Sequence, residues 1–461
     1  MAVVLGPAPQ EAYYWNYAQH LDLSYFDHPP MTAYLIHFFT NVFGDNSFGI
    51  HFAAIFISVI LSLVMFNFLG GLFGQRVAFW TVIACSTSLI FALGSIIITP
   101  DGPLLLFWLL FMMAFFRAVS ENKSQWWFLS GLFLGAAMTS KYTAVFAGLG
   151  AAAYLTMAKK HRRLLLKPGP YLALIAALIV FVPVIAWNYQ HDWASFKFQS
   201  GQRAAEAVSF RLNYLGTYFG LQTVMLGIFL MPVFIWGLVK AFIKRQIDSR
   251  MEYFFWFAFP MLVFFTIISP FAYVKMNWLA PVFLSGAPLA VYCYFESDNK
   301  LWKNYGKFAL LFSIILTLAV HLAAILPRIG LGRADTIHGW SELAAEVESI
   351  KQEMSLSGKP FICGYEYKTA SELKFHLPGH PETVSKNIVG ENGLAYDYWS
   401  NPDTLIGKDC IFIYDSRNRY HGRLIDYFAR VDEPEIFTAQ RAGRKIADYY
   451  IYRCYNYRGI R

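Results

Sequence analysis

The 461-residue chain is 56% hydrophobic, 18% aromatic and only 15% charged, with a mean hydropathy of +0.39. Soluble globular chains carry about 25% charged and about 45–50% apolar residues, so a purely soluble enzyme, a disordered chain, collagen and a coiled coil are all excluded. The net charge of +8 is unevenly spread: positions 1–332 hold 21 basic and 12 acidic residues, positions 333–461 hold 17 and 18. The excess lies in the hydrophobic part, with no basic stripe interleaved with aromatics, which argues against a nucleic-acid partner. The pattern is that of a polytopic α-helical membrane protein, residues 1–330, followed by a small soluble α/β domain, residues 331–461.

In chain order, residues 1–9 (MAVVLGPAP) read as the tail end of a span. A polar, aromatic loop follows at 10–30, in which Pro9 and Glu11 are helix-opening signals. Segment 31–43 follows Pro29-Pro30 and is too short to cross, so it is expected to lie at the interface. A spanning helix needs about 20 apolar residues and some manage with about 17. That length predicts spans at 47–69, 77–98, 103–117, 126–140, 142–158, 170–187, 214–239, 253–272, 278–295 and 308–326. Alternate loops hold 15 basic residues on one side, among them Arg76 and Lys307, against six on the other. The rule that basic loops stay inside makes the first set cytoplasmic. It also makes 126–158 a hairpin of two short spans rather than one kinked helix. Loops 10–30, 99–102, 140–142, 188–212 and 273–277, with the whole tail, are then external. The tail mixes helical periodicity (Trp340–Met354, Thr369–Phe375) with strand-like runs (Pro360–Cys363, Asp409–Tyr414, Asp448–Cys454). The five cysteines have no zinc-like spacing. One disulfide in the tail or buried free thiols both fit.

Several loops carry residues suited to chemistry. The first packs Glu11, Asp22, Asp27 and His28 among aromatics such as Tyr13 and Tyr14. The plain reading is an interfacial helix with an aromatic belt. The sharper one is a partly desolvated carboxylate acting as general base. Asp27 and His28 also offer metal-ligating atoms, although their spacing matches no standard ligand set. In ITPDGPL (98–104), Asp101 reads either as a turn residue capping the next helix or as a second functional carboxylate. In Ser140-Lys141-Tyr142, the lysine between two apolar runs reads either as snorkelling or as a fixed cation for a phosphate headgroup. The loop WNYQHDWASFKFQSGQRA (187–204) adds His191, Asp192 and Arg203, and YVKMNWLAP (273–281) adds Lys275 and Asn277. Together they describe an external cavity with carboxylates and cations, and no nucleotide-binding or hydrolase signature competes.

Taken in order, EAYYWNYAQHLDLSYFDHPPM, ITPDGPLLLFW, GAAMTSKYTAVF, PVIAWNYQHDWASFKFQ and KMNWLAPVF resemble the dolichyl-phosphate-mannose–protein mannosyltransferase family (glycosyltransferase family 39), in its bacterial aminoarabinose-transferase-like branch. The resemblance covers about 10–330 strongly and the tail from Gly339 more loosely. It implies a GT-C fold, a catalytic first external loop, a polyprenyl-phosphate sugar donor and an inverting mechanism free of nucleotide sugars. The family's Asp-Glu pair falls on Gln10 and Glu11, so the aspartate is missing and Glu11 matches the second member. Tyr13 stands where the aminoarabinose branch has a phosphate-contacting arginine, and His28 where it has a lysine before Pro-Pro. Asp101 matches the second-loop aspartate, and Lys141 the lipid-phosphate lysine.

The expected function is therefore a bacterial inner-membrane glycosyltransferase that moves one sugar from a polyprenyl-phosphate carrier to a periplasmic lipid, glycan or protein acceptor. Glu11 is favoured as base, with Asp101 as its orienting partner. Lys141 and Lys275 are expected to stabilise the departing phosphate, and no metal or other cofactor is expected to be required. Tyr13, Tyr14, Asp27, His28, Tyr142, His191, Asp192, Arg203 and Asn277 complete the expected substrate site. The main rival is a transporter or flippase of lipid-linked sugars, although neither internal repeats nor clear mid-span charges support it. A structural subunit whose tail binds a partner would leave the carboxylate loops unexplained.

Overall fold

The structure, a computed structural model, describes residues 2–202, 209–326, 328–355 and 358–460. The helices are α1 Pro9–Gln19, α2 Met31–Phe43, α3 Ser47–Phe73, α4 Gln75–Ser86, α5 Leu89–Gly94, α6 Asp101–Glu121, α7 Ser124–Met138, α8 Val145–Met157 and α9 Pro168–Gln190. After the short α10 (Ala194–Lys197) come α11 Leu212–Leu226, α12 Leu230–Lys244, α13 Ser249–Ile268, α14 Ala280–Glu296 and α15 Lys300–Ile325. The tail contributes α16 Trp340–Met354, α17 Tyr367–His376 and α18 Tyr396–Trp399.

Contacts divide the chain into two compact units: residues 1–21, 36–51 and 321–461 in one, residues 22–35 and 52–320 in the other. Where the sequence suggests a single boundary at 330, the tail is thus grouped with the N-terminal helix. The cause lies in α1, whose aromatic side chains belong to the tail's core. Tyr13 meets Tyr367 at 4.5 Å between ring centroids, Trp15 meets Phe375 at 5.1 Å and Tyr17 meets Trp399 at 5.4 Å. Burying rings of this size is among the largest apolar contributions a helix can make.

The tail holds a mixed sheet of β1 Phe361–Gly364, β2 Thr383–Val384, β3 Cys410–Asp415, β4 Phe428–Val431, β5 Glu435–Arg441 and β6 Arg444–Tyr457. Strand order is β2-β1-β3-β6-β4, with β5 also paired to β6. β1 runs parallel to β2 and β3, while β6 is antiparallel to β3, β4 and β5. The expected α/β domain is therefore present, and α16 matches its predicted bounds. All five cysteines are buried and free.

The other unit is helical. Among the described residues, five helices of the chain are long and apolar enough to cross a membrane (α3, α6, α9, α13 and α15), or six if α11 and α12 form one bent span. That is fewer than the ten predicted runs, because several runs are short or interrupted. The run 214–239 is not one helix: α11 and α12 meet at 101°, with Gly227 between them at φ +118°. The run 77–98 breaks at Thr87-Ser88. There Thr87 Oγ1 and Ser88 Oγ bond back to the carbonyls of Ile83 and Cys85, while Ser313 and Thr317 on α15 donate to the Thr87 carbonyl. Hydroxyls thereby satisfy backbone that the break exposes, as an apolar setting demands.

Helix packing relies on small residues. α7 packs against both α6 and α9, and α8 against α13. A Cβ on Gly135 would lie 2.7 Å from the Ala177 carbonyl, and one on Gly131 would collide with that of Ala173. Such close backbone approach is what small residues permit in membrane bundles. Gly131→Leu is expected to destabilise the protein by about 1–3 kcal/mol through overpacking, read as a lower melting temperature in detergent. An unchanged melt would mean that α9 yields freely.

Candidate active site

Within the helical unit, Asp101, Lys141 and Asn277 converge. Asp101 is the first residue of α6, but its side chain caps nothing. Lys141 Nζ donates to Asp101 Oδ1 at 2.7 Å, and Asn277 Nδ2 donates to Oδ2 at 2.6 Å. The lysine and aspartate side chains are 7% and 11% exposed, so this is a desolvated pair rather than a surface contact. The capping reading of Asp101 and the snorkelling reading of Lys141 are both excluded by this geometry.

Local structure explains the placement. Lys141 occupies the extended residue between α7 and a short turn at Tyr142–Ala144 that leads into α8. The Met31 N–H at the start of α2 donates to the Thr139 carbonyl at 3.0 Å, which ties the end of the first loop to this turn. The Tyr142 hydroxyl faces Ser24, Asn188 and Ser195 and feels the charge of Asp27. Ser24 Oγ, Thr32 Oγ1, Tyr142 Oη and Thr143 Oγ1 are all buried without a well-formed hydrogen bond. Buried polar atoms left unsatisfied in this way call for an explanation, and a polar ligand is one. Asp27 is buried and His28 partly so, and the Asp27 carbonyl accepts from Gln199 Nε2 at 2.9 Å.

The 188–202 segment supports this cluster more than it adds charge to it. Trp187 Nε1 donates to Asp22 Oδ2 at 2.8 Å, and His191 stacks on Trp187 at 4.0 Å. Asn188 Oδ1 accepts from the Ser195 N–H at 3.1 Å, while Ser195 Oγ donates to the Tyr25 carbonyl at 2.9 Å. Asp192 is exposed in a left-handed conformation at φ +52°. Lys275 is also exposed, and the member of its motif that reaches Asp101 is Asn277. Arg203 lies outside the described residues. Asn188, Ser195, Ser24, Thr32 and Thr143 were not singled out from sequence. Their signal is the presence of small polar residues beside Tyr142 and the first loop, which a single sequence does not separate from ordinary loop polarity.

Glu11 belongs to the other unit and is fully buried. Its Oε2 accepts from the Ala8 N–H at 2.9 Å, satisfying the start of α1. The same oxygen lies 3.2 Å from His51 Nε2. His51 is a histidine within an otherwise apolar run, a signal that the sequence reading passed over. Glu372 and His376, one turn apart on α17, stand 3.3 Å apart. Burial, with the nearby Glu11 charge, pushes the Glu372 carboxyl well above the ordinary carboxylate range, and burial drops His376 to about 4. Burial thus disfavours the charged form of both groups, which weakens any ion-pair character of their contact. Tyr13 and Tyr14 are buried in the aromatic core around α1, where the Tyr13 hydroxyl accepts from the Ala395 N–H at 3.2 Å. Among the described residues, no group of three or more His, Cys, Asp or Glu could hold a metal ion.

Residues 27–187 match the sequence profile of the dolichyl-phosphate-mannose–protein mannosyltransferase family, a stretch that includes Asp101 and Lys141 but begins after Glu11. Lipid A galacturonosyltransferase RgtD of Rhizobium johnstonii is 25% identical over 318 residues, 69% of this chain and 66% of that one. The fold of this chain is that of ArnT from Cupriavidus metallidurans. The apo form and the form bound to undecaprenyl phosphate superpose with TM-scores of 0.64 and 0.66, at 14% and 13% identity, over 97% of this chain and 94% of theirs. Archaeal oligosaccharyltransferase AglB from Archaeoglobus fulgidus shares the fold more distantly, with a TM-score of 0.54, 12% identity, and 90% and 66% coverage. The chain is thus a multi-pass membrane protein with a GT-C fold.

Proposed function

We propose that this protein is a polyprenyl-phosphate-sugar-dependent glycosyltransferase that transfers one sugar, with inversion, to a lipid or glycan acceptor such as lipid A. The observation that carries the reading is the buried Lys141–Asp101–Asn277 cluster beside unsatisfied hydroxyls. It is supported by the lipid A galacturonosyltransferase relative and by the fold shared with an undecaprenyl-phosphate-bound protein.

The geometry supports the reverse of the sequence-level preference for the base. Glu11 is committed to its own helix start and to His51, whereas Asp101 sits on the cation suited to the donor phosphate. Donor binding draws Lys141 onto the phosphate and releases Asp101 Oδ1. Asp101 then takes the proton of the acceptor hydroxyl as its oxygen attacks the anomeric carbon. The bond from that carbon to the phosphate oxygen breaks, its electron pair stays on the phosphate, and Lys141 stabilises the charge. Asn277 holds Oδ2 throughout, which fixes the carboxylate plane.

The test is sugar transfer in liposomes that contain the purified protein, a polyprenyl-phosphate sugar and a lipid A acceptor. Product formed only with the donor supports the reading. Movement of the carrier across the bilayer without cleavage would replace it with a flippase.

The same proposal sets the active side of a bacterial inner membrane at the periplasm. Because all five native cysteines are buried, background labelling should be low. Single cysteines at exposed Leu23, Ser200 and Asn401 are expected to react with an impermeant maleimide in intact spheroplasts. Reaction only after permeabilisation overturns the orientation.

A further inference from the structure

A cavity of about 360 Å³ opens among α4, α12, α14 and α15 of the helical unit, apart from the Asp101–Lys141–Asn277 residues. Trp80, Leu230 and Val233 are among the side chains that give it an apolar wall. Two cations also line it, Arg76 at the start of α4 and Lys307 on α15. The Arg76 guanidinium lies over the Phe295 ring at 4.4 Å, which fixes its position at the cavity. Both cations are exposed, and neither forms an ion pair with a carboxylate among the described residues. The volume falls within the range of small-ligand sites, about 300–1,000 Å³.

An apolar hollow between helices of this unit, lined by two cations that form no ion pair among the described residues, suits an amphiphile with a negative head and a hydrocarbon tail. Arg76 and Lys307 also belong to the basic loop set that the charge bias assigns to the cytoplasmic side, where the leaflet is anionic and basic pockets between helices hold lipid headgroups. We propose that this cavity is a binding site for an anionic phospholipid of the surrounding bilayer, one acyl chain in the hollow and the phosphate between Arg76 and Lys307. The site is separate from the one proposed for the sugar donor and does not depend on that assignment.

The test measures phosphatidylglycerol retained by the purified full-length protein after delipidation and titration, by native mass spectrometry, with phosphatidylcholine as the neutral probe. The intact protein is expected to retain phosphatidylglycerol at least tenfold better than phosphatidylcholine. Arg76→Gln/Lys307→Gln should remove that preference, and Ala84→Phe, which fills the hollow and keeps both charges, should weaken retention as strongly. Equal retention of both lipids, or no change in the charge variant, overturns the proposal. Loss in the charge variant but not in Ala84→Phe assigns the effect to surface attraction and overturns the cavity. Displacement of phosphatidylglycerol by equimolar undecaprenyl phosphate also overturns it, by making this a carrier site. Lipid retention is read without sugar transfer, so failure here and failure of the proposed glycosyltransferase activity are distinguishable.

Discussion

Asp101→Asn is expected to lower sugar transfer by about 10²–10⁴, the range for loss of a general base, while Glu11→Gln keeps most of the activity. Asparagine preserves the size of Asp101 and one oxygen for Lys141 or Asn277, so the loss isolates the proton-accepting role rather than the packing. Glutamine at position 11 still offers an oxygen to the Ala8 N–H and the neighbouring His51, so α1 keeps its start. Both variants should be compared in one reconstituted turnover assay, with melting curves to confirm folding. Loss of activity in Glu11→Gln with survival of Asp101→Asn would return the base to Glu11. Normal turnover in both would end the inverting mechanism proposed here.

Lys141→Ala is expected to weaken the use of donor by about tenfold to a hundredfold, since a charge-assisted contact contributes about 1.5–3 kcal/mol. Dependence on acceptor concentration should change far less. The same substitution strands the Asp101 carboxylate with Asn277 alone. Breaking one side of a buried ion pair costs about 3–5 kcal/mol, so the melting temperature should fall as well. The double variant Lys141→Ala/Asp101→Asn separates the two effects: it should regain stability without regaining donor use. If Lys141→Ala leaves the donor response unchanged, the lysine serves only to neutralise Asp101.

Composition and charge distribution alone were enough to define a membrane-spanning part and a charged tail, because both depend on transfer free energies that add up residue by residue. The helix at Trp340–Met354 and three of the six strands were legible for a related reason, since periodic burial leaves a periodic pattern. The strands β2, β4 and β5 were not read in advance. β2 spans two residues, while β4 and β5 lie against β6 with mostly exposed or half-buried side chains, so apolar alternation is weak. The interruptions at Thr87-Ser88 and Gly227 were also hidden. Hydropathy measures how apolar a run is, not whether hydroxyls from another helix satisfy a broken turn.

The candidate site divides along the same line. Asp101, Lys141 and Asn277 were each visible as polar residues at the ends of apolar runs, and their family resemblance was legible in five ordered motifs. That one carboxylate accepts from both the lysine and the asparagine, more than 130 positions apart in sequence, was decided only by the packing of the helices. The ranking of Glu11 over Asp101 rested on nearby aromatics, which in the sequence look like a way to desolvate a base. In the folded chain those aromatics build the core shared by α1 and α17, and Glu11 closes the start of its own helix. Local composition determines which residues are unusual enough to carry chemistry. Only tertiary contacts determine which of them are already occupied, because a buried polar atom's partners are chosen by geometry across the whole fold.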